Sequence, residues 1–158
     1  MGKSAKQKSA AHNQIVKASL KMLYLTRKAS FCAAHRLHNP ALSDEENFEI
    51  YGKCNNPDGH GHNYTLEVTV RGKMSDKNGM VIDLKILKNI IAEKILTKVD
   101  HKYLNYDVDF FQNIIPKAEN MVTQFWKILE EALSEEKAEL YELKLYETDN
   151  NIATYRGE

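Results

Sequence analysis

The sequence predicts an α+β fold, in which two helices pack on one face of an antiparallel sheet of four main strands. Two long segments alternate polar and apolar residues in the first half, two segments repeat apolar residues at helical spacing further on, and two more strand-like segments end the chain. This order, β, β, α, α, β, β, is typical of the α+β class. A chain of 158 residues is most simply one domain, which we place at residues 21–158.

The composition argues against several classes of protein. Twenty-two basic residues balance twenty-two acidic ones, so we expect neither nucleic acid nor a membrane surface as the main partner. No apolar run approaches the ~20 residues that span a bilayer, and no apolar segment of the kind found in signal peptides follows the basic start. Because Cys32 and Cys54 are the only cysteines, we predict free thiols and a cytoplasmic location.

The first segments are an extension, a strand and a loop. Residues 1–20 are rich in Lys, Ala and Ser and are predicted to form a flexible or marginally helical extension. Strand character begins near Met22, and alternate residues from there to His35 share an apolar face with one basic interruption. The run 43–46 then predicts a loop with a short helical turn, capped by one of its first two residues.

The most informative segment reads Cys54-Asn-Asn-Pro-Asp-Gly-His60-Gly-His62-Asn-Tyr64. Turn-forming residues predict a loop over 52–61 and a strand over 62–72. Every second residue from His60 to Val70 is a histidine or an apolar residue, and those between them from Asn63 onward are polar. The two histidines therefore belong to the buried face of the strand.

The second half of the chain supplies two helices and a final hairpin. A short strand is predicted over 80–82, and Asp83 then caps a helix over 84–97. A second helix is predicted over 119–133. Strands over 139–147 and 152–155 follow, joined by a tight turn.

Three histidines are candidate metal ligands. His60 and His62 lie two apart on one strand face, and zinc in catalytic sites commonly has three protein ligands and one open position. His35 has the apolar parity of the first strand, so pairing of the two strands could bring it opposite this pair. His38 is interpreted as a surface residue, and His12 lies in the extension. The alternative is that these imidazoles only satisfy hydrogen bonds in the core; two adjacent desolvated imidazoles favour a metal.

Three further positions carry candidate acid–base groups. Cys54 lies in a polar loop, where its thiolate would be reactive; the alternative is a small buried packing residue. Asp100-His101 follows the first helix and could relay a proton, although adjacent Asp and His are common as structural residues. Glu147 has the strand parity of the leucines before it, which points its carboxylate inward unless the strand simply ends there.

Four separated motifs resemble those of the 6-pyruvoyl-tetrahydropterin synthase family. They are Phe31-Cys-Ala-Ala-His35-Arg-Leu-His, Gly52-Lys-Cys54-Asn-Asn-Pro-Asp-Gly-His60-Gly-His62-Asn-Tyr64, Asp100-His101-Lys-Tyr-Leu-Asn and Tyr146-Glu147-Thr-Asp-Asn. The resemblance covers about residues 22–158. It implies a T-fold-like domain whose sheet edges assemble copies of the chain into a homohexamer, a dimer of trimers, with the active site at a subunit interface.

The resemblance also implies a role for each candidate residue. Zn²⁺ ligands fall on His35, His60 and His62, the catalytic cysteine on Cys54 and its partners on Asp100 and His101. Glu147 falls on the pterin-anchoring glutamate, and Glu119 on a glutamate near the pterin pocket. The chain departs from the family in two places: Cys32 replaces a usual serine, and Lys117-Ala118 stand where the family usually has threonine. The second departure changes the hydrogen-bonding groups at the pocket rim.

The implied reaction converts 7,8-dihydroneopterin triphosphate, a small pterin triphosphate, to 6-pyruvoyl-tetrahydropterin with loss of triphosphate. Lys53 or Arg36 could supply positive charge for the triphosphate. One rival is 6-carboxy-tetrahydropterin synthase, which usually has a shorter spacing than the five residues that separate Cys54 from His60 here. The other is a non-catalytic pterin- or metal-binding module, against which the joint presence of the thiol and the Asp–His pair argues.

Overall fold

The protein is described by a computed structural model, which covers residues 21–158; the predictions for residues 1–20, including His12, lie outside the described residues. Five strands form one sheet in the order β3-β1-β2-β4-β5. They are β1 (Met22–His35), β2 (His60–Lys73), β3 (Lys102–Tyr103), β4 (Glu139–Tyr146) and β5 (Ile152–Tyr155). Neighbouring strands are antiparallel except β3, which runs parallel to β1.

Within residues 21–158, four α-helices of four or more residues connect the strands. They are α1 (Asp44–Tyr51), α2 (Leu84–Ile91), α3 (Leu104–Asp107) and α4 (Ala118–Ala132). Short 3₁₀ turns cover Gly52–Asn55 and Asp109–Phe111. The predicted cap of the first helical turn is Ser43, whose hydroxyl accepts a hydrogen bond from the Glu46 backbone N–H while the Glu46 side chain bonds back.

The α+β class and the four main strands are confirmed, and the sheet has one strand more than predicted. Strand β3 pairs with only Ala33 and Ala34 of β1, and two residues are too few to show an alternating pattern. The strand predicted over 80–82 does not form. Its backbone turns back, with Ser75 N–H donating to the Met80 carbonyl, and Val81 and Ile82 enter the core from irregular chain.

The core lies between one face of the sheet and the helices α2 and α4. Alternate residues of β2 from Tyr64 to Val70 are buried, as the sequence pattern predicts. They pack with the buried stripe of α4 and with Leu143 and Leu145 of β4. Burial of each large apolar side chain contributes roughly 1.5–3 kcal/mol. The other sheet face is polar, which is typical of an antiparallel sheet covered on one side.

Helix α2 continues through a π turn (Ala92–Leu96) into a last α turn (Thr97–Val99). Ile91, Ile95 and Val99 are all buried although they lie four residues apart. A regular α-helix has 3.6 residues per turn, so the wider π turn takes up the excess and keeps this stripe on the core. None of the helices among residues 21–158 is both long and apolar enough to cross a membrane.

Candidate metal centre

Three histidines meet at one end of the sheet, on the face that carries the core. The antiparallel register of β1 and β2 places His35 opposite His60 and Ala33 opposite His62. One nitrogen from each ring lies within 4.8 Å of the others, and His35 Nε2 is 3.1 Å from His60 Nε2. Strand pairing therefore brings together the three residues whose parity predicted a metal site.

Hydrogen bonding orients the most deeply buried of these rings. His35 is only 1% exposed, and its Nδ1 lies 2.7 Å from the Pro116 carbonyl oxygen. A carbonyl only accepts, so Nδ1 carries the proton and Nε2 presents its lone pair to the other histidines. Burial lowers the pKa of His35 to about 4, and burial followed by the charge of His62 lowers the pKa of His60. Neutral imidazole is the form that binds metal.

The triad fits a metal ion. His60 Nδ1 and His62 Nε2 are buried, and neither has a hydrogen-bond partner among the described residues. Buried polar atoms without partners are rare in folded proteins and call for an explanation. A metal bonded to the imidazoles would account for the His62 nitrogen, whereas His60 faces His35 through Nε2 and not through its unpartnered Nδ1. Three histidine ligands with one open position are a known zinc arrangement.

Cys54 lies in the 3₁₀ turn that follows α1 and is half-buried. Its carbonyl accepts a hydrogen bond of 2.9 Å from the backbone N–H of Leu37, two residues beyond the metal-site histidine of β1. The turn that carries Cys54 is thus hydrogen-bonded to the residues that follow β1. Cys32, the other cysteine, is exposed.

Asp100 and His101 form a hydrogen-bonded turn beside β1. Asp100 Oδ1 accepts from the Cys32 backbone N–H at 2.8 Å, and Oδ2 lies 3.1 Å from His101 Nδ1. These contacts lower the pKa of Asp100, with the Cys32 N–H as the main cause. His101 has a left-handed backbone (φ 57°), and its side chain is 81% exposed. Within residues 21–158, no hydrogen bond or ion pair joins this pair to Cys54 or to the histidine triad.

A cavity of about 440 Å³ lies between the start of α4 and the turn that joins β4 to β5. Glu147 lines it, with one carboxylate oxygen 4.0 Å from His35 Nε2. Glu119 also lines it, and its own backbone N–H followed by the Lys117 ammonium, 3.2 Å away, lowers its pKa. The other lining residues are Leu37, Lys117, Ala118, Asn150, Asn151, Ile152 and Ala153.

Sequence reasoning missed three groups that organise this region. The Pro116 carbonyl is a backbone group 81 residues from its partner, and no side-chain pattern reveals it. The ion pair between Lys117 and Glu119 forms at a position that the sequence marked only as a departure from the family pattern. Asn55, beside the thiol, is 8% exposed and lies in a bonded network with Arg36; a polar residue in a turn gives no sign of burial.

Comparison with known proteins gives consistent results. The sequence profile described as 6-pyruvoyl tetrahydropterin synthase matches residues 24–158. A curated 6-pyruvoyl tetrahydrobiopterin synthase from Poecilia reticulata is 51% identical over 135 residues, 85% of this chain and 90% of that protein. The Homo sapiens protein of the same name is 46% identical over 134 residues, 85% of this chain and 91% of its own. The solved structure of Caenorhabditis elegans 6-pyruvoyl tetrahydropterin synthase has a TM-score of 0.83 at 41% identity, covering 89% of this chain and 99% of that one.

Proposed function

We propose that this chain, which belongs to the 6-pyruvoyl tetrahydropterin synthase family, converts 7,8-dihydroneopterin triphosphate to 6-pyruvoyl-tetrahydropterin with elimination of triphosphate. The chain is an enzyme of that type, acting in tetrahydrobiopterin biosynthesis. One observation supports this specific reaction most. Glu147 lines the cavity, and its carboxylate lies 4.0 Å from His35 of the three-histidine centre.

His35, His60 and His62 would hold one Zn²⁺ ion. The ion would supply a Lewis acid that polarises the hydroxyl groups of the substrate side chain and acidifies the C–H bonds next to them. The low pKa of His35 keeps this ligand neutral at physiological pH. The Pro116 carbonyl keeps its Nε2 available by fixing the proton on Nδ1.

Glu147 would anchor the pterin ring. A carboxylate can accept two parallel hydrogen bonds from an adjacent ring N–H and amino group, and such charge-assisted bonds are about twice as strong as neutral ones. Among the described residues, no lysine or arginine forms an ion pair with Glu147, so its acceptor sites stay open to a ligand. The cavity volume of about 440 Å³ lies within the range typical of small-ligand sites. Glu119 would act at the rim of the same pocket.

Cys54 would be the base that removes a proton from the substrate side chain, and removal from the carbon beside the triphosphate-bearing carbon lets triphosphate leave. Asp100 would hold the proton of His101 on Nδ1, so that Nε2 can exchange protons with the thiol. The homohexamer, a dimer of trimers, is part of this proposal, because a second copy of the chain would supply the Asp100–His101 pair. Two features support it: His101 is exposed, and β1 lacks a strand partner along most of its outer edge within the described chain.

The assembly has a direct test. Cys54→Ala and His101→Ala variants should each be inactive, and a mixture reassembled from dissociated subunits should regain activity if the two groups come from different copies. Light scattering on the wild type should give the mass of six chains. A monomer with full activity would refute the shared site.

The decisive experiment incubates the zinc-loaded protein with 7,8-dihydroneopterin triphosphate and identifies the products by mass spectrometry. Release of triphosphate with 6-pyruvoyl-tetrahydropterin supports the proposal. A 6-carboxy product would support the rival synthase, and zinc binding without triphosphate release would support a non-catalytic module. A cytoplasmic location stays a prediction.

A further inference from the structure

Cys54 and the residue after it are hydrogen-bonded to the residues that directly follow the metal-site histidine of β1. Arg36 directly follows the metal-site histidine of β1, and its Nε donates to the backbone carbonyl of Asn55 at 2.9 Å. Its Nη2 also donates to the Asn55 side-chain oxygen at 3.3 Å. With the bond from Leu37 N–H to the Cys54 carbonyl, both Cys54 and the residue after it are fixed to this segment.

Asn55 is the centre of the network. It is 8% exposed, and its amide nitrogen donates to the Leu37 carbonyl at 2.9 Å and lies 3.0 Å from His38 Nδ1. Its side-chain oxygen and its amide group therefore both have partners. Removing one partner would leave a buried polar group unsatisfied, which is unfavourable, so the network favours one loop conformation.

A second asparagine fixes Arg36 itself. The Arg36 backbone N–H donates to Asn105 Oδ1 at 2.8 Å, and Asn105 Nδ2 donates to the Arg36 carbonyl at 2.9 Å. Asn105 belongs to α3, which follows β3 and the turn of the Asp–His pair. Arg36 thus directly follows β1 and is hydrogen-bonded both to the turn that carries Cys54 and to the helix after the Asp100–His101 turn.

We propose that Arg36 and Asn55 are positioning residues, which hold the Cys54 thiol at a fixed place relative to the histidine triad. The proposal rests on the proposed function and deepens it, since it assigns Arg36 a role other than binding triphosphate. A misplacement of about 1 Å in a reacting group can cost on the order of 100-fold in rate. The guanidinium suits this role because its planar fork donates to two acceptors of one residue at once.

The test uses full-length protein in a Cys32→Ser background, so that Cys54 is the only thiol. Arg36→Lys keeps the positive charge but loses the fork. We expect a fall in kcat of about 10–100-fold, a KM for the pterin triphosphate within a factor of two of the parent, unchanged zinc content and several-fold faster alkylation of Cys54 by iodoacetamide. Asn55→Ala, which loses the side-chain bonds but keeps the carbonyl acceptor, should show the same pattern.

The matched control is Arg71→Lys. Arg71 lies near the far end of β2 and donates from Nε to a Glu139 carboxylate oxygen at 3.0 Å, so its substitution should change none of these readings. A raised KM with unchanged kcat and alkylation in Arg36→Lys would instead indicate triphosphate binding and overturn the proposal. Parental kcat and alkylation in both variants would also overturn it. If the parent protein does not turn over the substrate, the proposed function fails, and the alkylation rates alone decide the positioning role.

Discussion

Gly59, which precedes the metal-site residue His60, is a position where one added methyl group should damage the metal centre. Its φ of +70° lies in the left-handed region, and a Cβ there would overlap the Tyr103 hydroxyl and come within 2.8 Å of the His35 carbonyl oxygen. The left-handed conformation alone costs alanine about 1–2 kcal/mol. Overpacking against fixed atoms adds roughly 1–3 kcal/mol. The His35 carbonyl is backbone, so relief of the overlap must move a metal-site residue.

Gly79→Ala is the matched control for Gly59→Ala. Gly79 has nearly the same φ, +71°, and a Cβ there meets nothing within 4 Å, so it pays only the conformational cost. For a domain of this size, each kcal/mol lowers Tm by about 2–4 °C. We therefore expect Gly79→Ala to lower Tm by about 2–8 °C and Gly59→Ala by about 4–20 °C, always more than the control.

The assay is thermal unfolding of the metal-free variants, followed by zinc titration against a chromophoric chelator. Gly59→Ala should weaken zinc binding at least about tenfold, equivalent to roughly 1.4 kcal/mol, and Gly79→Ala should not. Equal losses of Tm in the two variants, with zinc affinity unchanged in both, would refute the argument that this loop is packed against the metal centre.

Three further predictions follow from the site. Cys54→Ala should keep the fold and zinc content but lose most turnover; near-parental turnover would contradict its role as base. Glu147→Gln should raise the KM for the pterin about 10–100-fold, from loss of a charged hydrogen bond of about 1.5–3 kcal/mol, with zinc content unchanged; an unaltered KM would remove it as the anchor. In metal-free protein, the free energy of unfolding should fall as pH falls from 6.5 to about 4, because His35 takes a proton in the unfolded state before it does in the folded state. The loss is on the order of 3 kcal/mol, and urea unfolding across this pH range measures it; a flat profile would argue against a buried neutral His35.

The histidine triad was predictable because it depends on two short-range rules. Side chains two apart on a strand share a face, which put His60 and His62 with the buried residues of β2. His35 has the matching parity on the antiparallel neighbour β1, so only the register of the two strands was left to determine. In the structure, His35 pairs directly with His60. The helices of the core were predictable for the same reason, since their stripes repeat over three or more turns.

Other parts of the site depend on contacts that no local pattern records. The anchoring of Asp100 to β1 joins residues 68 positions apart, and the π turn that precedes this segment keeps Ile95 and Val99 on the core. Strand β3 likewise depends on a distant contact, since Lys102 and Tyr103 pair with Ala33 and Ala34 of β1. The resemblance to a family supplied the role of Asp100-His101, whereas composition and spacing alone left the pair structural.

Burial separates the roles of the two carboxylates in the cavity. Glu147 has a 23% exposed side chain and lies close to His35, whereas Glu119 is 67% exposed and already paired with Lys117. A hydrogen bond to a ligand gains more where water is excluded, and exposed ion pairs contribute only about 0–1 kcal/mol. Lys117, which stands where the family usually has threonine, therefore pairs with the exposed Glu119 and not with the more buried Glu147. We therefore expect an incoming pterin to use the charge of Glu147, and we expect Glu119 to affect binding mainly through the rim.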